Sequence, residues 1–155
     1  MKLSDLLDAP AAVRVPLVAT DKQQVIAELV ELLESSHDVH SSGDVLHRVL
    51  EREQLMSTGI GQGVAIPHAK SPSVDEVIAA CGVAPPGLDY GTTDQEPVRL
   101  VILVVSPDQV RAAHMQALAA ISRLVQREDV RCALIEAVDP QTFFERLLAA
   151  EEHDA

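Results

Sequence analysis

The chain has 155 residues, a formal net charge of -12, and is 47% hydrophobic but only 2% aromatic. That length suits one domain with a single complete core, built from Ala, Val, Leu and Ile rather than from aromatic rings. The acidic balance repels phosphate backbones, and no run of Lys and Arg offsets it, so nucleic acid is excluded as a partner. Cys81 and Cys132 have no second cysteine nearby in sequence, which rules out zinc ribbons and CxxC redox chemistry. No apolar run approaches the roughly 18 residues a membrane span needs. The N-terminal Met-Lys-Leu-Ser-Asp-Leu-Leu has no long apolar region, so a cytoplasmic protein without membrane insertion is expected.

In chain order, the valine-rich alternation from Ala12 to Val18 predicts a first strand. Thr20-Asp-Lys-Gln23 reads as a capping box opening a helix, with Val25, Ile26, Leu29, Val30, Leu32 and Leu33 on its inner face. After a polar break from His37 to Gly43, a second helix is predicted from about Ser42 to Leu55, with Val45, Leu46, Val49 and Leu50 inward and Arg52 near its end. Val77 to Ala84 and Val98 to Val105 are apolar runs of strand length, the second almost uninterrupted, as expected for central strands covered on both faces. Ser106-Pro-Asp-Gln109 carries the signature of a cap followed by proline in the first turn, opening a helix to about Gln126. Two shorter helices, near Glu128 to Ala137 and Pro140 to Ala150, precede an acidic tail, Glu151 to Ala155, expected to fray. Helices alternate with strands, so the class is α/β, a mixed sheet flanked by helices on both faces, in one domain spanning residues 1–155.

The chemistry concentrates at Ser57-Thr-Gly-Ile-Gly-Gln-Gly-Val-Ala-Ile-Pro-His68-Ala-Lys70. Gly59, Gly61 and Gly63 tolerate positive φ and let main-chain amides approach an anion near the imidazole. A neutral histidine is a nucleophile at physiological pH. Two commoner glycine motifs fail: a dinucleotide fingerprint beginning at Gly59 needs glycine where Val64 stands, and a P-loop ending at Lys70-Ser71 needs glycines at Val64 and Ala69. Taken alone, the segment reads more plainly as a glycine-rich turn leading to a hydrogen-bonded histidine. His114 shares a helix face with Val110, Leu118, Ile121 and Val125; alone, it reads as a hydrogen-bonded core histidine. His37, His40, His47 and His153 read as solvated surface residues. His37 and His40 with Asp38 and Asp44 lack the tight spacing of a metal site.

The glycine segment ending in Pro67-His68 closely resembles the active-site motif of the type-2 enzyme IIA proteins of the bacterial phosphoenolpyruvate-dependent phosphotransferase system, the fructose, mannitol and nitrogen-regulatory branch. Further matching motifs are Ala19-Thr20-Asp21-Lys22, Arg52-Glu53, Leu88-Asp89-Tyr90 through Asp94-Gln95 with Val98, and His114-Met115. The resemblance covers almost the whole chain, and it is this joint match that favours functional roles for His68 and His114.

It implies a phosphotransferase component in which His68 accepts a phosphoryl group from the phosphohistidine of HPr or its nitrogen-branch counterpart. The group then passes to a IIB partner, or the phosphorylation state is itself a regulatory signal. His114 matches the second active-site histidine and Arg52 the arginine at the mouth. Ser57, Thr58, Gly59, Gly61 and Gly63 are expected to help hold the phosphate, with no metal, nucleotide or other cofactor. The fold implied is a mixed β-sheet flanked by helices. Two positions depart from the family pattern: Ala69 follows the histidine where glycine is usual, and Gln62 stands where a small polar residue is usual. An alanine at position 69 would be strained if its φ were positive. The absence of fused IIB and IIC domains fits a free-standing carrier, and the N-terminal segment looks like the nitrogen-regulatory branch. The competing expectation is an interaction module of the same fold that has lost transfer.

Overall fold

The structure, a computed structural model, describes residues 1–8, 10–92 and 94–153. Its centre is β6 (Val98–Ser106), the least interrupted apolar run in the chain, paired antiparallel with the long β5 (Ile78–Leu88). β1 (Val13–Arg14) lies parallel to β5 on one side. On the other side β6 pairs in parallel first with β3 (Val64–Ala65) and then with β4 (His68–Lys70), while β2 (Gly59–Gly61) closes a hairpin onto β3. The six strands form a mixed sheet in the order β1-β5-β6-β3-β2, with β4 beside β6.

Alternation along β6 splits the core into two layers, because successive side chains point to opposite faces. Leu100, Ile102 and Val104 pack with α1 (Leu3–Leu7), α4 (Arg111–Val125), α5 (Glu128–Ile135) and α6 (Pro140–His153). Val101, Leu103 and Val105 pack with α2 (Lys22–Ser36) and α3 (Ser42–Leu55). Both sheet faces are therefore covered, and β6 is buried along almost its whole length. The α/β sheet flanked by helices on both faces, expected from the alternation of strands and helices, is the observed architecture.

Several local expectations shift. The first strand is two residues long, not seven, since Pro16 has no amide hydrogen to continue the ladder and the chain instead returns at Leu17, whose amide reaches Val83 O. The α2 cap is Asp21, which accepts from Gln24 N at 2.8 Å, while Thr20 only touches the Gln24 side chain, so the box lies one residue later than the sequence signature suggests. α3 begins and ends where expected, capped by Ser41. α4 starts at Arg111 rather than next to Ser106, and no side chain caps it. α6 continues to His153, because Glu151 of the expected fraying tail is buried and accepts from the Ser4 backbone amide and hydroxyl. Residues 154 and 155 lie outside the described residues. The short α1 was not anticipated, five residues being too few to display a helical period.

Candidate active site

Parallel pairing with β6 fixes β4 in register, His68 opposite Val104 and Lys70 opposite Ser106, so the imidazole stands at the carboxyl end of the central strand. The β6 chain then turns through residues 107–110 into α4, whose first full turn carries His114. The two rings meet with centroids 5.6 Å apart and planes at 55°. They share a cavity of about 450 Å³ lined by Arg48, Glu51, Arg52, Leu55, His68, Ala69, Lys70 and His114. With Arg48 paired to Asp44 and Asp108, Arg52 and Lys70 against Glu51 still make this a locally positive spot on a chain of net charge -12. Arg52, expected at the mouth of the site, lines it together with Lys70.

His68 Nδ1 lies 2.7 Å from the carbonyl oxygen of Ile66. A carbonyl only accepts, so Nδ1 carries the proton and Nε2 keeps its lone pair. Burial holds the His68 pKa below its usual value and Arg52 pushes the same way, against the Ile66 carbonyl and Glu53. The ring is thus held in one tautomer and disfavours protonation, which leaves an Nε2 lone pair able to act as a nucleophile. His114 is buried, with Nδ1 2.7 Å from Ser106 Oγ. Burial, then the neighbouring His68 and Lys70, bring its pKa down to about 4. Arg52 donates to Met56 O at 2.9 Å, bracing the end of α3 beside the cavity. Arg48 is tied to Asp44, to Asp108 and to Lys70 O.

The structure brings His68, His114 and Arg52 together, but it does not bring Ser57, Thr58, Gly59, Gly61 or Gly63 to the cavity lining. The donors of Thr58 and Gly59 are used elsewhere. Both the amide and the hydroxyl of Thr58 bond the buried Glu53 carboxylate, and Gly59 N donates to Ser57 Oγ. At the hairpin tip, Gly61 and Gly63 have φ of 85° and 83°, and the amide of Gln62 between them donates to Asp94 Oδ2 at 2.9 Å. The glycine turn does cradle an anion, and that anion is a carboxylate of the chain itself. Gln62 is left-handed at φ 59°, whereas Ala69 sits in the extended β4 and has no positive φ, so the feared strain falls on the other departure. Val64 is wholly buried in the core, whereas Ile60 is exposed.

Two positions escaped the sequence reading. Glu53 is buried and accepts from Thr58, Tyr90 and Lys22, so it fastens the start of α2, the end of α3, the glycine hairpin and the segment after β5 to one point. Its place next to Arg52 in a matching motif was the available signal. Ser106 was taken for a helix cap, and its contact with His114, eight residues on, has no local signature. As for the remaining histidines, His37 is half-buried and bonds Leu6 O, while His40 faces Asp75. Among the described residues no group of three or more His, Cys, Asp or Glu side chains is arranged to hold a metal ion. No helix among them is long and apolar enough to cross a membrane.

A paired-imidazole site on a mixed sheet with these flanking helices defines a known class. Residues 9–150 match the family described as phosphoenolpyruvate-dependent sugar phosphotransferase system, EIIA 2, and the chain belongs to that family. It is 35% identical over 121 residues to the fructose-specific EIIA component of Haloferax volcanii, covering 78% of this chain and 79% of that protein. It is 32% identical over 144 residues to a nitrogen regulatory protein of Bradyrhizobium diazoefficiens, covering 93% of each. The fructose-specific EIIABC component of Bacillus subtilis matches at 34% identity across 88% of this chain, which spans 21% of that longer protein. Among solved structures, the nitrogen regulatory protein IIA-Ntr from Neisseria meningitidis superposes with a TM-score of 0.83 at 25% identity, covering 93% of this chain and 97% of that one.

Proposed function

We propose that this chain is a phosphoryl carrier that takes a phosphoryl group from the phosphohistidine of an HPr-type protein onto Nε2 of His68. The carrying observation is the 2.7 Å contact between His68 Nδ1 and Ile66 O, which leaves Nε2 as the nucleophilic nitrogen. In the transfer the Nε2 lone pair forms the new N–P bond, the donor's N–P bond breaks, and its electron pair returns to the donor ring. The proton of His68 stays on Nδ1 throughout, donated as a hydrogen bond to the Ile66 carbonyl. Such transfers pass through a loose transition state, so the protein's work is to position the rings and stabilise charge on the equatorial oxygens. His114 supplies a hydrogen bond from across the cavity, and Arg52 and Lys70 supply positive charge at its edge.

Docking fits the same face. Leu55 lines the cavity, and the large apolar side chains of Met56, Ile60 and Met115 are exposed on residues adjacent in sequence to the site elements. Exposed apolar side chains such as Leu55, which lines the cavity with Arg52, suit a protein partner, and the acidic remainder of the surface favours a basic one. Onward, the group passes to a IIB partner, or its presence on His68 is read as a signal; both kinds of relative resemble the chain. This reading places the reaction in the cytoplasm, where HPr-type donors work. The test is to incubate the chain with isotopically labelled phospho-HPr and map the label. Label on the peptide containing His68, then discharged by a IIB protein, supports transport-type transfer. Label that stays on His68 supports the signalling form. Absence of label leaves the non-transferring interaction module.

A further inference from the structure

The two histidines face different partners through the same ring nitrogen. Nδ1 of His68 meets a carbonyl, whereas Nδ1 of His114 meets the hydroxyl of Ser106, the last residue of β6. A hydroxyl can donate or accept, and burial decides which. Ser106 is fully buried, and among the described residues its Oγ has no hydrogen-bond partner other than His114 Nδ1. Were His114 to donate from Nδ1, the serine proton would be left buried without an acceptor, at a cost that donation to Nδ1 avoids.

We infer that Ser106 is a positioning residue that donates its hydroxyl proton to His114 Nδ1 and thereby fixes His114 in the Nε2–H tautomer, a hydrogen-bond donor toward a phosphoryl group on His68. The assignment rests on the carrier reading for its use, but not for its geometry. Nε2 of His114 makes no hydrogen bond to the described residues. Since no side-chain nitrogen or oxygen among them is both buried and unpartnered, Nε2 reaches the open cavity shared with His68. The pair is then complementary: the carbonyl of Ile66 makes His68 a lone-pair nucleophile, and the hydroxyl of Ser106 makes His114 a neutral donor. A ring that stays unprotonated at working pH needs this arrangement to donate from Nε2 at all, and burial keeps His114 unprotonated.

The register explains how the serine is held. Ser106 pairs with Lys70 across the β4–β6 ladder, and its carbonyl accepts from Ser71 N at 2.8 Å, so the backbone that aims Oγ at α4 is the same backbone that places His68 two residues earlier. This also accounts for the late start of α4: a serine turned toward His114 is not available to cap residues 107–110.

The test is long-range proton–nitrogen NMR on the 15N-histidine protein near neutral pH, without any phosphoryl donor. The inference expects His114 in the Nε2–H tautomer, opposite to His68. Ser106→Ala should lose that preference, and with phospho-HPr it should take up the phosphoryl group about tenfold more slowly, the loss of one well-directed hydrogen bond. Ser106→Thr, which keeps the hydroxyl, should retain the wild-type tautomer and rate. An Nδ1–H tautomer for His114 in the wild-type protein overturns the inference, as does an unchanged tautomer in Ser106→Ala or a rate loss in Ser106→Thr equal to that of Ser106→Ala. If the wild-type chain takes up no phosphoryl group at all, the carrier reading fails while the tautomer measurement still decides the role of Ser106.

Discussion

The carbonyl oxygen of Ile66 stands 2.7 Å from Nδ1 of His68, two residues along the same strand-bound segment, and it fixes which nitrogen of the ring is free. Pro67 between them keeps the segment extended as it enters β4, so the contact is built by local backbone and not by a distant side chain. Everything proposed for the site depends on that nitrogen and on its neutrality.

Neutrality gives the first prediction. Both His68 and His114 have pKa values below the ordinary 6.5, His114 at about 4, chiefly through burial. The rate of phosphoryl uptake should therefore hold as pH falls through 6.5 and decline only further down. Stability should respond with the opposite histidine sign from an ion-paired one: the unfolded chain binds protons below 6.5 that the folded chain refuses, so stability falls between pH 6.5 and about 4. Thermal melts across this range should show a smaller loss for His114→Gln than for the parent protein.

Glu53 should behave as a structural anchor. It receives hydrogen bonds from Thr58, Tyr90 and Lys22, and these outweigh the effect of burial to hold its pKa below the ordinary carboxylate value of 4.5. Glu53→Gln turns a pure acceptor into a group whose amide faces donors, which should cost about 2 kcal/mol in urea unfolding. In the parent, the stabilisation is present above pH 4.5 and is lost as pH falls through the lower folded value. The variant should lack that part of the acid dependence.

The two departures from the family pattern make opposite predictions with the same substitution. Gln62 is left-handed, so Gln62→Gly should stabilise the chain by about 1 kcal/mol. Ala69 is extended and nearly buried in β4, so Ala69→Gly should destabilise it by about 0.5 to 1 kcal/mol. Chemical denaturation of both variants checks the assignment of strain to position 62.

Removing the supporting groups separates stabilising from docking roles. His114→Ala should fold and slow phosphoryl uptake by about 10² to 10³, the loss expected when one preorganised donor is deleted. Arg52→Ala should slow it by about tenfold or more through a lost charge-assisted contact, and this part should shrink as salt is added. Stopped-flow transfer at two ionic strengths distinguishes the two variants.

Much of this was legible from residue order, and what was not has identifiable causes. The continuous run Val98 to Val105 announced a central strand because only a strand covered on both faces tolerates it, and the polar break before Val45, Leu46, Val49 and Leu50 placed α3 correctly. Strands β2, β3 and β4 are three residues or fewer, β3 and β4 held by pairing with β6 and β2 by pairing with β3, and carry no period of their own. Glycine spacing pointed to an anion near the imidazole, whereas the turn faces Asp94, distant in sequence and away from the cavity lining. His68, His114 and Arg52 were found through separated motifs, while Ser106 and Glu53 act through tertiary contacts that no local pattern records.

Intact-mass spectrometry after incubation with phospho-HPr is the most direct test of the carrier assignment. The parent chain should gain about 80 Da, one acid-labile phosphoryl group, and His68→Ala should gain none while still folding. Stoichiometric uptake by His68→Ala would contradict the account.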